Sequence, residues 1–139
     1  MKFLTYVLAL LLMTTSLQAE QFVHWQGFDI HYNTFNSLLI PADVAKAHDI
    51  SRSRNRVITN ISIVRDGTPT TSVVGGHSVN LLGQLTTLEF TEVKESTGVY
   101  YLANQIVDEK DTLRFSISIQ PSGSTETYDL QYNRQYNRQ

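Results

Sequence analysis

A two-residue alternation of apolar and polar side chains constrains this chain more than any other feature. Phe28, Ile30 and Tyr32 alternate with Asp29 and His31, and Val57, Thr59, Ile61 and Ile63 with Asn60 and Ser62. Leu88 and Phe90 flank Glu89. Leu113, Phe115, Ile117 and Ile119 alternate with Arg114, Ser116 and Ser118, and Tyr128, Leu130 and Tyr132 with Asp129 and Gln131. A period of two puts one set of side chains on a dry face and the other on a wet face, which predicts half-buried strands. Val73–Val79 and Val99–Ile106 read as strands with less regular alternation.

Turn chemistry separates these runs. Asp66-Gly67, with Pro69 after it, predicts a hairpin. Ser96-Thr97-Gly98, the charged run Asp108-Glu109-Lys110-Asp111, and Pro121-Ser122-Gly123-Ser124 mark further turns. About seven strands in roughly 120 residues predict an all-β fold, an antiparallel β-sandwich of immunoglobulin-like type, with a small barrel as the alternative. Pro41–His48 breaks the pattern: it starts with Pro, carries Asp43 early and is rich in Ala. These are helix-start features, and they predict one short helical insert packed through Val44.

The N-terminus has a different character. Lys2 precedes a nearly uninterrupted apolar run from Phe3 to Met13, followed by Thr14-Thr15-Ser16 and then Leu17-Gln18-Ala19. This is the architecture of a secretory signal, with residues 1–19 removed and residues 20–139 forming a single domain. The run is well short of the roughly 20 residues that cross a bilayer, so no membrane span is expected after its removal. The remainder is expected to be soluble and exported.

The chain has 11 Lys and Arg against 13 Asp and Glu, and loss of Lys2 with the leader makes the remainder more acidic. That balance argues against a nucleic-acid partner and against a basic membrane-surface protein. The absence of Cys excludes disulfides, thiolate catalysis, iron–sulfur clusters and a lipid-modified N-terminal cysteine.

Candidate chemistry is sparse. Asp29 and His31 share one face of a strand, but His24, His48 and His77 lie in unrelated segments, and no metal site or cofactor is expected. Gly75-Gly76-His77-Ser78 superficially resembles an oxyanion loop, yet no Gly-x-Ser-x-Gly accompanies it. A Gly pair within a strand marks a bulge or a close backbone approach. Arg52, Arg54 and Arg56 would project to one side if residues 51–56 were extended. Such a strip suits a carboxylate, a phosphate or a polyanion; it equally suits an edge kept soluble by like charges. Asn60-Ile61-Ser62 matches a glycosylation acceptor pattern but lies within a strand and is set aside. The tandem Gln131–Arg134 and Gln135–Arg138 repeat reads as a last strand that frays, anchored at Tyr132.

With these residues in view, the chain resembles a bacterial family known as domain of unknown function 4426. The likeness rests on His31–Ser37, on Arg52–Arg56 with Asn60-Ile61-Ser62, on Asn80–Gln84, on Tyr100–Ala103 and on Leu113-Arg114-Phe115. It implies a small exported β-rich domain located in the periplasm, and it carries no catalytic residue with it. The function expected from the residues is a non-catalytic binding or protein-interaction module. Its expected ligand-binding residues are His31, Tyr32, Asn36, Arg52, Arg54, Arg56 and Asn80, facing an unknown envelope protein or a small anionic ligand. Two alternatives stand beside it: an enzyme using a His/acid pair in a concave pocket, and an assembly factor that exchanges a strand.

Overall fold

The alternating segments form strands that pack as two antiparallel sheets. A computed structural model of the chain describes residues 21–108 and 110–137; the expected leader over residues 1–19 lies outside them. The described strands are β1 (Gln21–Trp25), β2 (Phe28–Asn36), β3 (Arg56–Arg65), β4 (Thr68–Thr70), β5 (Ser72–Val79), β6 (Leu85–Leu88), β7 (Thr91–Glu95), β8 (Gly98–Ile106), β9 (Lys110–Pro121) and β10 (Tyr128–Asn137). One sheet runs β1-β2-β3-β8-β7, with β4 also paired to β3; the other runs β10-β9-β5-β6.

The core lies between the sheets. Phe28 and Ile30 of β2, Val57, Ile61 and Ile63 of β3, and Tyr101 and Ala103 of β8 meet Leu113, Phe115, Ile117 and Ile119 of β9 and Leu130 of β10. Each fully buried side chain of this size contributes about 1.5–3 kcal/mol of transfer free energy. The inner face is not wholly apolar. Ser78 Oγ donates to Gln105 Oε1 at 2.8 Å, and Ser72 N donates to the Tyr101 hydroxyl at 2.7 Å. Both bonds tie one sheet to the other, and pairing is what makes buried polar groups tolerable.

Three strands exceed the expected seven, for local reasons. β1 places Phe22 outward, which destroys the alternation that would have marked it. β4 is three residues long. The run through Leu88 and Phe90 is not one strand, because the chain crosses between sheets at residues 89–90. The alternation survives the crossing because Leu88 and Phe90 both pack on the central core.

Asp66 and Gly67 both have positive φ, 50° and 75°, and they close the expected β3–β4 hairpin in the manner of a type I′ turn. The charged run is shorter as a turn than expected: β9 begins at Lys110, and Asp111 is buried. The end of the chain does not fray before Asn137, which pairs with Lys110, and Tyr136 is buried.

The helical insert is present as a 3-10 turn (Ser37–Leu39) and α1 (Ala42–Ala47). It does not pack through Val44, which is 42% exposed. Ala45, 2% exposed, makes the contact instead. Ala45 and Ile40 cover Ile58 on the outer face of the larger sheet, beside Phe35, Ile50 and Leu102. A short side chain lets so brief a helix lie close to the sheet, and Val44 one position earlier points away.

Candidate functional site

β2, β5, β8 and β10 finish at one end of the sandwich, and β3, β6 and β9 start there. Two turns at this end are held by side-chain clamps. The Asn36 side chain accepts from Leu38 N at 2.8 Å, donates to Arg54 O at 2.9 Å and reaches the Tyr136 hydroxyl. Ser37, fully buried, donates to Ser53 O at 3.0 Å and accepts from Ser53 N at 2.9 Å. The 3-10 turn is thereby fastened to residues 53–54. These bonds satisfy backbone groups that a strand end otherwise leaves open.

The second clamp is Asn80. Its Oδ1 accepts from Leu82 N at 3.0 Å and from Gln84 N at 2.9 Å, while its Nδ2 donates to Gln84 Oε1 at 2.8 Å. Leu81 N donates to the buried Asp111 carboxylate at 3.2 Å. With every backbone N–H from Asn80 to Gln84 engaged within the protein, the side chains of Leu81 and Leu82 point out, at 73% and 79% exposure. Leu39, on the other clamped turn, is 72% exposed, and Leu38, Leu85 and Ile106 are also exposed at this end. Six of the nine large exposed apolar side chains of the described residues gather at this end, and the four on the two clamped turns cannot fold away.

The expected site residues do not converge on one cavity. His31 and Tyr32 are neighbours on β2 and so face opposite ways. His31 lines a cleft of about 170 Å³ on the outer face of the larger sheet, with Ser62, Pro69, Thr97 and Tyr100. Tyr32 turns inward against Tyr132, their ring centroids 4.7 Å apart. Asn36 and Arg54 meet, but through the Arg54 carbonyl. Residues 51–56 are not extended: Arg56 N donates to Ser53 O in a turn. Arg52, Arg54 and Arg56 therefore form no one-sided strip. Arg52 donates to Leu38 O at 3.1 Å, the Arg56 guanidinium bonds Asn104, and Arg54 is exposed. Asn80 lies at the same end as Asn36 and Arg54, linked to them through Asp111 and its strand partner Tyr136. Residue spacing missed the leucines; the signal was two Leu-Leu pairs, each just after a turn-forming Asn.

His24 Nδ1 and Asp29 Oδ1 lie 2.7 Å apart, and His48 Nε2 and Glu95 Oε1 2.9 Å apart. The first pair is open to solvent. The second flanks α1, where His48 borders a small cleft with Ile50, Thr91 and Val93. The cleft beside His31 is lined by no carboxylate, whereas His77 and Asp129 both line a cleft of about 290 Å³ on the outer face of the smaller sheet, with Ser116 and Ser118 between them. Among the described residues no three His, Asp or Glu side chains gather as metal ligands. Of the four outer strands, β7 carries Glu92, Lys94 and Glu95 and β6 is four residues long, which offers little to an exchanging partner, whereas β10 runs for ten residues with β9 as its one strand neighbour among the described residues.

Inside the sandwich, the Tyr132 hydroxyl bonds Thr34 Oγ1 at 2.9 Å. Burial pushes its pKa from 10.0 up to about 12, against an opposing pull from the Thr34 and Thr59 hydroxyls. A raised pKa means the folded state holds this proton more tightly than the unfolded chain does. The contribution of Tyr132 is thus full below pH 10 and is lost as pH climbs to about 12, a loss of about 2–3 kcal/mol. Urea titrations across that window are expected to show the decline. Tyr132→Phe is expected to flatten it by that amount; an unchanged slope would contradict the assignment.

The family model DUF4426, a domain of unknown function, matches residues 23–137. A crystal structure of a DUF4426 family protein from Pseudomonas aeruginosa superposes with a TM-score of 0.81 at 29% identity, over 88% of this chain and 98% of that one. FetP from uropathogenic Escherichia coli strain F11, recombinantly expressed in the periplasm of E. coli, shares the fold with a TM-score of 0.61 at 14% identity, over 86% and 94% of the two chains. A copper-bound variant of FetP aligns with a TM-score of 0.60 at 14% identity, over 85% and 95%. No curated protein matches the chain.

Proposed function

The chain belongs to the DUF4426 family, and on that premise we propose that it is an exported, non-catalytic interaction module whose working surface is the end bearing Leu38-Leu39 and Leu81-Leu82. One observation carries this reading. Asn80 uses both atoms of its amide to lock the tip of the β5–β6 loop, and the locked tip holds two leucines in water. A loop selected only for solubility has no use for that arrangement, because exposed apolar patches favour association. Export is supported by the leader-like residues 1–19 and by the expression of FetP in the periplasm. We read β2-β3-β8-β7 facing β6-β5-β9-β10 as the A-B-E-D and C′-C-F-G order of an immunoglobulin-like sandwich. In such domains binding concentrates on the loops at an end.

The test is photo-crosslinking in intact cells. A photoreactive residue at position 39, 81 or 82 is expected to trap a protein or a lipid. The same residue at Val73 or Gln131, exposed but outside this end, is expected to trap much less. Equal trapping at all five positions, or none at 39, 81 and 82, would overturn the assignment of this surface.

A further inference from the structure

We propose that the leucine-bearing end docks on the surface of an anionic phospholipid bilayer. This inference rests on the interaction reading above and names the partner's chemistry. The first observation is shape. Leu39, Leu81 and Leu82 protrude from two separate clamped turns at 72–79% exposure. Isolated protruding leucines enter acyl chains without needing a preformed pocket, whereas a protein partner would have to supply one for each.

The second observation is charge. Arg52 and Arg54 stand beside the 3-10 turn, Arg56 opens β3, Lys110 opens β9, and Arg134 lies near the end of β10. Lys46 of α1 and Arg114 of β9 bring these cations to seven, against five acids of the same segments: Asp43 and Asp49, Asp108 and its neighbour in sequence Glu109, and Asp111, which is buried and engaged by two backbone N–H groups. The whole chain is negative at −2, so a local excess of cations at the apolar end is a segregation of charge along the sandwich. Cations flanking exposed leucines match the polar shell of an anionic bilayer. The overall charge balance conceals this, because most of the acids lie elsewhere.

The third observation is where the chain enters. β1 pairs Gln21 with Tyr32 and Trp25 with Phe28, whereas β2 runs on to Asn36 at the leucine end. β1 therefore runs away from that end, and the chain enters the domain from the leucine side. The sequence before it carries the apolar run Phe3–Met13. A leader of that kind is delivered into a membrane, which would hold the leucine side of the domain nearest the bilayer for as long as the leader stays attached.

The test is co-sedimentation of the purified exported protein with vesicles. Vesicles of phosphatidylglycerol mixed with phosphatidylcholine are expected to carry the protein down, and those of phosphatidylcholine alone much less. The double variant Leu81→Asp, Leu82→Asp is expected to lose about tenfold or more of the bound fraction. Its fold is checked by circular dichroism, and both side chains are exposed. Arg52→Ala with Arg54→Ala is expected to weaken binding a few-fold and blunt its dependence on salt. Val73→Asp, at an exposed position away from this end, is expected to bind like the wild type. No binding to the anionic vesicles, or equal loss in the Leu and Val73 variants, would overturn the inference. If vesicle binding is absent while positions 81 and 82 still crosslink to a protein in cells, the lipid assignment fails and the interaction surface stands. If both are absent, both fail.

Discussion

Gly76→Ala is expected to destabilise the protein by about 3 kcal/mol or more, the upper range for overpacking a core. Gly76 lies in β5, paired with Ile117 of the central strand β9. A Cβ at this position would stand 2.3 Å from Ser116 O and 2.8 Å from Ile117 Cα. Both obstacles are backbone, so no side chain can swing away; the two strands must move apart. β9 carries Phe115, Ile117 and Ile119 into the core on either side of the contact, and a shift there is felt throughout the interior. Gly75 is the internal control. It precedes Gly76 in the same strand, and a Cβ there meets nothing within 4 Å. Gly75→Ala is expected to change stability by no more than about 0.5 kcal/mol, as at an ordinary surface position. In thermal melts the Gly76 variant is expected to drop by roughly 10 °C or more. A pair of variants that melt together would show that the strands have room to spare. The experiment also bears on the Gly75-Gly76-His77-Ser78 segment, because a glycine required by strand contact needs no catalytic explanation.

What the residues alone disclose follows the range of the forces involved. The alternations that identify β2, β9 and β10 arise from burial on one face, a property of each segment by itself, whereas β3 is covered at Ile58 on its outer face as well. The Asp66-Gly67 hairpin is equally local, since two adjacent residues adopt left-handed backbone. The failures are non-local. Asn36 bonds Tyr136 a hundred residues away, and no spacing rule announces such a pair. Asn36 and Asn80 stand out in the sequence as polar residues a core does not require, and their amides close turns. The strip imagined through Arg52, Arg54 and Arg56 needed extended backbone, and Ser37 instead holds Ser53 in a turn. The polar members of these turns lie at the same end as the exposed leucines: the clamps are polar, and what they display is apolar.

Asn36→Ala is the variant that separates clamp from display, and it is expected to cost about 2–4 kcal/mol. It removes the acceptor for Leu38 N and the donor to Arg54 O and to the Tyr136 hydroxyl. Hydrogen bonds of this kind contribute about 0.5–1.5 kcal/mol each, with more lost where a buried partner is left unpaired. Tyr136 is such a partner, being 8% exposed. Asn36→Asp is expected to fall between wild type and Ala: the carboxylate still accepts from Leu38 N and can accept a hydrogen bond from the Tyr136 hydroxyl, but it sets an acceptor against Arg54 O. Urea denaturation orders the three proteins, and a Ala variant as stable as wild type would remove Asn36 from any role in the fold. Below the denaturation range, each folded variant still carries the Asn80 clamp with Leu81 and Leu82. Vesicle binding by the Asn36 variants is therefore expected to retain the Leu81-Leu82 contribution and to weaken only as the Leu39 turn loosens. A turn that stabilises and a turn that binds then yield different orders of effect in the two assays. That difference distinguishes a residue that builds the surface from one that belongs to it.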